Sequence, residues 1–125
     1  MPRKVLIADD DVSVCKLISV ALENEGYTTK HAYDGLETLD KVQEWKPDLL
    51  LLDVMMPKLD GWSVAAELRA NPETAQLPVI MLTALGEEEA MVTSIMSGAD
   101  VHLRKPLDPE QLISVVRRLC PLEES

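Results

Sequence analysis

Pro47-Asp48-Leu49-Leu50-Leu51-Leu52-Asp53 is the stretch that decides the fold. A continuous apolar run of this length suits a central strand buried on both faces, as in a parallel sheet covered by helices on either side. Asp53 then stands at the carboxyl end of that strand, the edge where open α/β sheets place their chemistry.

The same arrangement recurs on either side. Asp9 and Asp10 follow Val5-Leu6-Ile7-Ala8, Thr83 follows Val79-Ile80-Met81-Leu82, and Lys105 follows Val101-His102-Leu103-Arg104. Apolar runs alternate with helical periodicity five times, which predicts repeated βα units. The strands are expected at Lys4–Ala8, Thr28–Ala32 (short, polar, at a sheet edge), Leu49–Leu52, Leu77–Leu82 and Val101–Arg104. The first helix shows apolar spacing at Val14, Leu17, Ile18, Ala21 and Leu22 and stops at Gly26. A second is capped by Asp34 and runs to about Trp45, with Pro47 ending it. A third follows Asp60-Gly61 with Val64, Ala65 and Leu68 inward. A fourth covers Glu87–Ser97, with an acidic first turn that complements the helix dipole and Gly98 as its stop. The last spans about Pro109–Leu119. The polar stretch Asn71–Gln76 is a connection, and no repeat beyond the βα unit and no second domain is apparent.

With 125 residues, 46% of them apolar, the chain suits one domain around one core. A net charge of −10 argues against nucleic-acid binding by this segment, because phosphate contacts need clustered Lys and Arg. No apolar stretch approaches 18 residues, and Met1-Pro2-Arg3-Lys4 runs straight into a strand, so neither a membrane span nor a signal peptide is expected. The expected location is cytoplasmic, with Cys15 and Cys120 as reduced, partly buried thiols. Two His and two Cys lack the spacing of a zinc site.

Adjacent carboxylates in a confined edge repel one another, so they need a cation or take up protons. Asp9, Asp10 and Asp53 offer hard oxygen ligands, which suits Mg²⁺ with retained waters. Lys105 and the Thr83 hydroxyl are the partners expected for a phosphoryl group, whose transfer needs little beyond positioning and charge stabilisation. Asp53 is the natural nucleophile and would form an acyl phosphate. Asp11 reads as the cap of the first helix rather than a ligand. Taken singly, an Asp, Thr or Lys after a strand means little; their occurrence together, in this order, carries the reading.

Ile7-Ala8-Asp9-Asp10-Asp11, Leu51-Leu52-Asp53-Val54-Met55-Met56-Pro57, Asp60-Gly61, Ile80-Met81-Leu82-Thr83-Ala84, Gly98-Ala99-Asp100 and Lys105-Pro106 together resemble the receiver domain of two-component response regulators. The resemblance covers nearly the whole chain and implies a CheY-like, flavodoxin-like (βα)5 fold with strand order 2-1-3-4-5. The receiver unit is expected at residues 1–121, with 122–125 as a tail or the start of a linker. It implies that Asp53 accepts a phosphoryl group from a phosphohistidine on a sensor kinase or phosphotransfer protein. Mg²⁺ would sit on Asp10, Asp53 and the Met55 backbone carbonyl, with Asp9 bound mainly through water. Lys105, Thr83 and the Ala84 amide would contact the phosphoryl group, and the Lys105–Pro106 bond is the family's usual cis peptide. Such a chain is a phosphoacceptor that catalyses its own phosphotransfer and dephosphorylation rather than a conventional enzyme. Its partners would be the kinase and a downstream protein or C-terminal effector domain.

Departures fall in the switch and output region. His102 stands where the family commonly has Tyr or Phe, an aromatic that swings inward as Thr83 moves; His102 keeps that role or is an exposed edge-strand residue without one. Val101, Arg104 and Leu107 also depart, and Met91 and Met96 replace charged residues. The charged pattern of dimers in the winged-helix branch is not apparent, so a monomer or weak phosphorylation-dependent dimer is expected. Trp45 and Trp62 could be exposed, and single surface aromatics need no explanation. A haloacid-dehalogenase-type phosphatase would want an acid at Met55 and a cap domain, and a flavodoxin-like cofactor binder would want a phosphate loop after the first strand. A phosphorylation-independent docking module stays open as the alternative.

Overall fold

Alternation along each strand sorts the apolar side chains onto two faces, and both faces are covered. The computed structural model describes residues 3–83 and 99–122. The helix expected over 87–97, with Met91, Met96 and Gly98, lies outside them, as does Ala84. Strands β1 (Lys4–Ala8), β2 (Thr28–Ala32), β3 (Leu49–Asp53), β4 (Val79–Thr83) and β5 (Val101–Arg104) form one parallel sheet in the order β2-β1-β3-β4-β5. Among the described residues the helices are α1 (Val12–Asn24), α2 (Gly35–Trp45), α3 (Gly61–Ala70) and α4 (Pro109–Leu119). Each starts on an aspartate cap, Asp11, Asp34, Asp60 and Asp108, whose side chain accepts from amides of the first turn.

Val5, Ile7, Leu49, Leu51, Ile80, Leu82 and Leu103 face α1 and α4, meeting Cys15, Ile18, Leu22, Leu112 and Val116. Leu6, Ala8, Leu50, Leu52 and Met81 face α2 and α3, meeting Val42, Val64, Ala65 and Leu68. All five residues of β3 are buried, as the leucine run requires of the middle strand. Burial of each such leucine stabilises the fold by roughly 1.5–3 kcal/mol.

The inward stripe of α1 is Cys15, Ile18, Ser19 and Leu22, while Leu17 is 61% exposed. Residues 15, 18, 19 and 22 repeat at helical spacing and Leu17 falls off that stripe, so the small thiol takes the place under the sheet edge. Strand β4 begins at Val79 rather than Leu77. Pro78 has no N–H for the ladder, and the Leu77 amide donates instead to the Thr74 carbonyl. Neither tryptophan is exposed. Trp45 and Trp62 are half-buried against the second cluster, and the Lys4 and Lys30 ammonium groups lie 5.4 and 5.3 Å from the Trp45 ring centre. Both cysteines are buried free thiols. Leu122 packs against the first cluster, and the Tyr27 hydroxyl donates to the Cys120 carbonyl at 2.8 Å. No described helix is long and apolar enough to cross a membrane.

Candidate functional site

Parallel pairing places the residues that follow β1, β3, β4 and β5 along one edge. Ala8 pairs with Leu52, so Asp9 and Asp53 come side by side; Asp53 pairs with Leu82, just before Thr83. The Lys105 amide donates to the Thr83 carbonyl at 2.8 Å and brings the lysine back over the same edge. Asp9, Asp10 and Asp53 place carboxylate oxygens within 4.8 Å of one another, with Asp9 and Asp53 buried and Asp10 exposed. Three carboxylates without sulfur or imidazole form a hard-oxygen set, and an exposed member leaves room for water; the donors fit a small divalent cation.

Lys105 Nζ lies 2.8 Å from Asp9 Oδ2 and 3.3 Å from Asp53 Oδ1. Asp9 Oδ1 accepts from the Asp11 amide at 2.9 Å, so both oxygens of this fully buried carboxylate have donors. Beneath it, the Cys15 thiol donates to the Asp9 carbonyl at 3.3 Å. Burial, and after it the Asp9 charge, pushes the Cys15 pKa up to about 12, which makes the thiol a neutral packing group. Burial and then the Asp9 charge push the Asp53 carboxyl up to about 6, while the Lys105 charge and hydrogen bond and the Met55 amide pull it down. Burial works against the Lys105 cation, yet its hydrogen bonds and the charges of Asp9 and Asp53 outweigh that, and its pKa is raised.

The structure therefore brings together Asp9, Asp10, Asp53 and Lys105. Thr83 ends the neighbouring strand and is buried. Met55 lies in the loop between β3 and α3 with its side chain 66% exposed. His102 is half-buried on β5 and pairs with Met81; alternation puts it on the sheet face that Thr83 also uses. The Lys105–Pro106 peptide is cis. The Ala84 amide lies outside the described residues.

Three supports escaped the sequence reading: the Asp11 amide on Asp9, the Cys15 thiol beneath it, and Gly35 against the β3–α3 loop. Only the last left a trace. Asp34-Gly35 repeats the Asp60-Gly61 pattern, a glycine in the first turn after an aspartate cap, where helix propensity disfavours it.

Comparison with known proteins agrees with this geometry. Residues 5–117 match the model of the response regulator receiver domain. The chain is 44% identical over 119 residues to the DNA-binding dual master transcriptional regulator RpaA of Synechocystis, covering 95% of this chain and 49% of that protein. It is 38% identical over 117 residues to the DNA-binding response regulator MtrA of Mycolicibacterium paratuberculosis, covering 94% and 51%. The chain thus spans about half the length of these curated relatives. Among solved structures, the chemotaxis response regulator CheY4 of Vibrio cholerae superposes with a TM-score of 0.89 at 32% identity, covering 95% of this chain and 99% of that one. The receiver domain of a Francisella response regulator gives 0.87 at 38% identity, covering 94% and 95%.

Proposed function

The chain belongs to the response regulator receiver domain family of two-component systems, and from that premise we propose that Asp53 is its phosphoacceptor. The observation that supports this most directly is the convergence of Lys105 Nζ on Asp9 and Asp53 at 2.8 and 3.3 Å, beside Asp10. With a pKa near 6, Asp53 is ionised at neutral pH and one oxygen can attack phosphorus. The new Asp53 O–P bond forms as the P–N bond of a donor phosphohistidine breaks, and the imidazole keeps the electron pair. Lys105 then pairs with a phosphoryl oxygen. The Thr83 hydroxyl and the Ala84 amide donate to others. Bound Mg²⁺ on Asp10, Asp53 and the Met55 carbonyl, with Asp9 acting mainly through water, would neutralise phosphoryl charge. Hydrolysis of the acyl phosphate at the same site resets the domain, so the chain catalyses its own phosphotransfer and dephosphorylation.

On this reading the partners are a sensor histidine kinase or phosphotransfer protein and, downstream, a protein or effector domain. The receiver unit is residues 1–121, followed at 122–125 by a tail or the start of a linker, in a cytoplasmic protein that is monomeric or weakly dimeric when phosphorylated. His102, on the same face as Thr83, is the proposed switch residue. The named relatives bind DNA, yet the matched segment is about half of each and this chain carries −10, so we assign it no direct DNA contact.

Incubation with radiolabelled acetyl phosphate and MgCl2 tests the assignment. Acid-stable, base-labile label is expected on the wild type and absent from Asp53→Asn. Label that survives in Asp53→Asn would place the phosphoacceptor elsewhere; no label on either would favour a docking module that works without phosphorylation.

A further inference from the structure

The loop between β3 and α3, residues 54–60, carries Met55 and follows directly on Asp53. Hydrogen bonds hold its two ends: the Val54 amide donates to the Leu82 carbonyl at 3.0 Å, and the Gly61 amide donates to the Val54 carbonyl at 2.9 Å. Its far side rests on the N-terminus of α2. There the Gly35 amide donates to the Pro57 carbonyl at 3.4 Å, and Lys58 Nζ pairs with Asp34 at 3.5 Å. Both helix starts approach the loop backbone more closely than any side chain would permit. A Cβ on Gly35 would lie 2.0 Å from the Leu59 carbonyl oxygen and 2.6 Å from Leu59 Cβ. A Cβ on Gly61 would lie 2.3 Å from the Asp53 carbonyl oxygen and 2.9 Å from Val54 Cα. The obstacles are main-chain atoms and Leu59 Cβ, whose place the main chain fixes, so no rotamer change relieves them, and the loop itself must move. Glycine weakens a helix, and here that weakness accompanies a contact that only glycine allows.

We propose that Gly35 and Gly61 are positioning residues for the cation site: the first turns of α2 and α3 clamp the 54–60 loop between them and so set the Met55 carbonyl against the Asp53 carboxylate. Gly35 is the informative half, because among the described residues α2 contributes no candidate ligand, and its first turn rests on the loop that carries Met55. The inference rests on the proposed Mg²⁺ and phosphoacceptor roles. Groups that orient ligands from outside the coordination shell commonly change metal affinity by about 10- to 100-fold.

The test is calorimetric titration of the full chain with MgCl2, alongside melting temperature, for wild type, Gly35→Ala and Val116→Ala. Val116 is buried in the cluster on the opposite sheet face and serves as a control for lost stability alone. Gly35→Ala is expected to raise the Mg²⁺ Kd about ten-fold or more, with acetyl phosphate labelling slowed in step, while Val116→Ala leaves the Kd at the wild-type value. An unchanged Kd in folded Gly35→Ala overturns the proposal, and so does an equal rise in Val116→Ala. If Gly35→Ala does not fold, Lys58→Met decides, since it severs the Lys58–Asp34 pair that ties the loop to the start of α2: a raised Kd supports the clamp and an unchanged one sinks it. Failure of the wild type to bind Mg²⁺ would instead remove the functional reading on which the clamp rests.

Discussion

At Asp53 two requirements conflict. The carboxylate must be buried enough to sit beside Asp9, yet ionised enough to attack, and Lys105 reconciles them in the metal-free protein. The folded pKa of Asp53, about 6, lies above the usual carboxylate range, so the folded state holds the proton more tightly than the unfolded chain. The stabilisation from that proton is fully present below about pH 4 and is lost as pH rises through about 6. Urea midpoints of Mg²⁺-free wild type should therefore fall across this window relative to those of Asp53→Asn. Above pH 6 Asp53→Asn should be the more stable protein. Parallel pH profiles for the two would show that Asp53 is not the group under strain. Asp9, Asp10, Asp53, Thr83 and Lys105 were all legible in the chain, because a polar residue ending an apolar run announces its own position. The Asp11 amide on Asp9 and the Cys15 thiol beneath it were not, since a hydrogen bond to the main chain leaves no mark in residue type.

Among the elements, β3 behaves as the leucine run requires, with every residue buried between two helical layers. Leu51 is fully buried in the first cluster, and Val20 on α1 is 52% exposed. Leu51→Ala should cost about 2–5 kcal/mol, whereas Val20→Ala should change stability by about 0.5 kcal/mol or less. Chemical denaturation of both variants checks the pair, and similar losses would contradict the burial assigned to β3. Most element boundaries were legible because the caps are aspartates and the stops are Gly or Pro. The inward stripe of α1 was not: Leu17 has the hydrophobicity of a core residue, but the stripe Cys15, Ile18, Ser19 and Leu22 faces the sheet. Helix phase follows from the crossing over β1, a relation between distant segments. The start of β4 moved for a local reason, the missing N–H of Pro78.

At the scale of the molecule, an acidic surface surrounds a site that itself calls for a cation. With a net charge of −10, the chain should pass unretained over heparin and leave duplex DNA unshifted at low ionic strength, both before and after treatment with acetyl phosphate. Specific retention at low salt would reverse the assignment of no direct nucleic-acid contact. Specific hydrogen bonds and ion pairs join distant parts. Tyr27 to Cys120 and Arg117 to Glu25, both at 2.8 Å, tie the end of α4 to the turn after α1. Asp100 accepts from the Val79 amide at 2.8 Å and from Arg69 at 3.0 Å, holding the approach to β5 against β4 and α3. By itself the sequence determined the alternation of strands and helices, the all-parallel sheet and the polar residues at its carboxyl edge, because burial and chain periodicity are written in residue type and spacing. Tertiary structure alone decided how near those residues come: Lys105 between Asp9 and Asp53, Cys15 rather than Leu17 under the edge, and Gly35 against the Leu59 backbone. Such contacts join segments far apart in the chain, and their distances are set by how the layers pack.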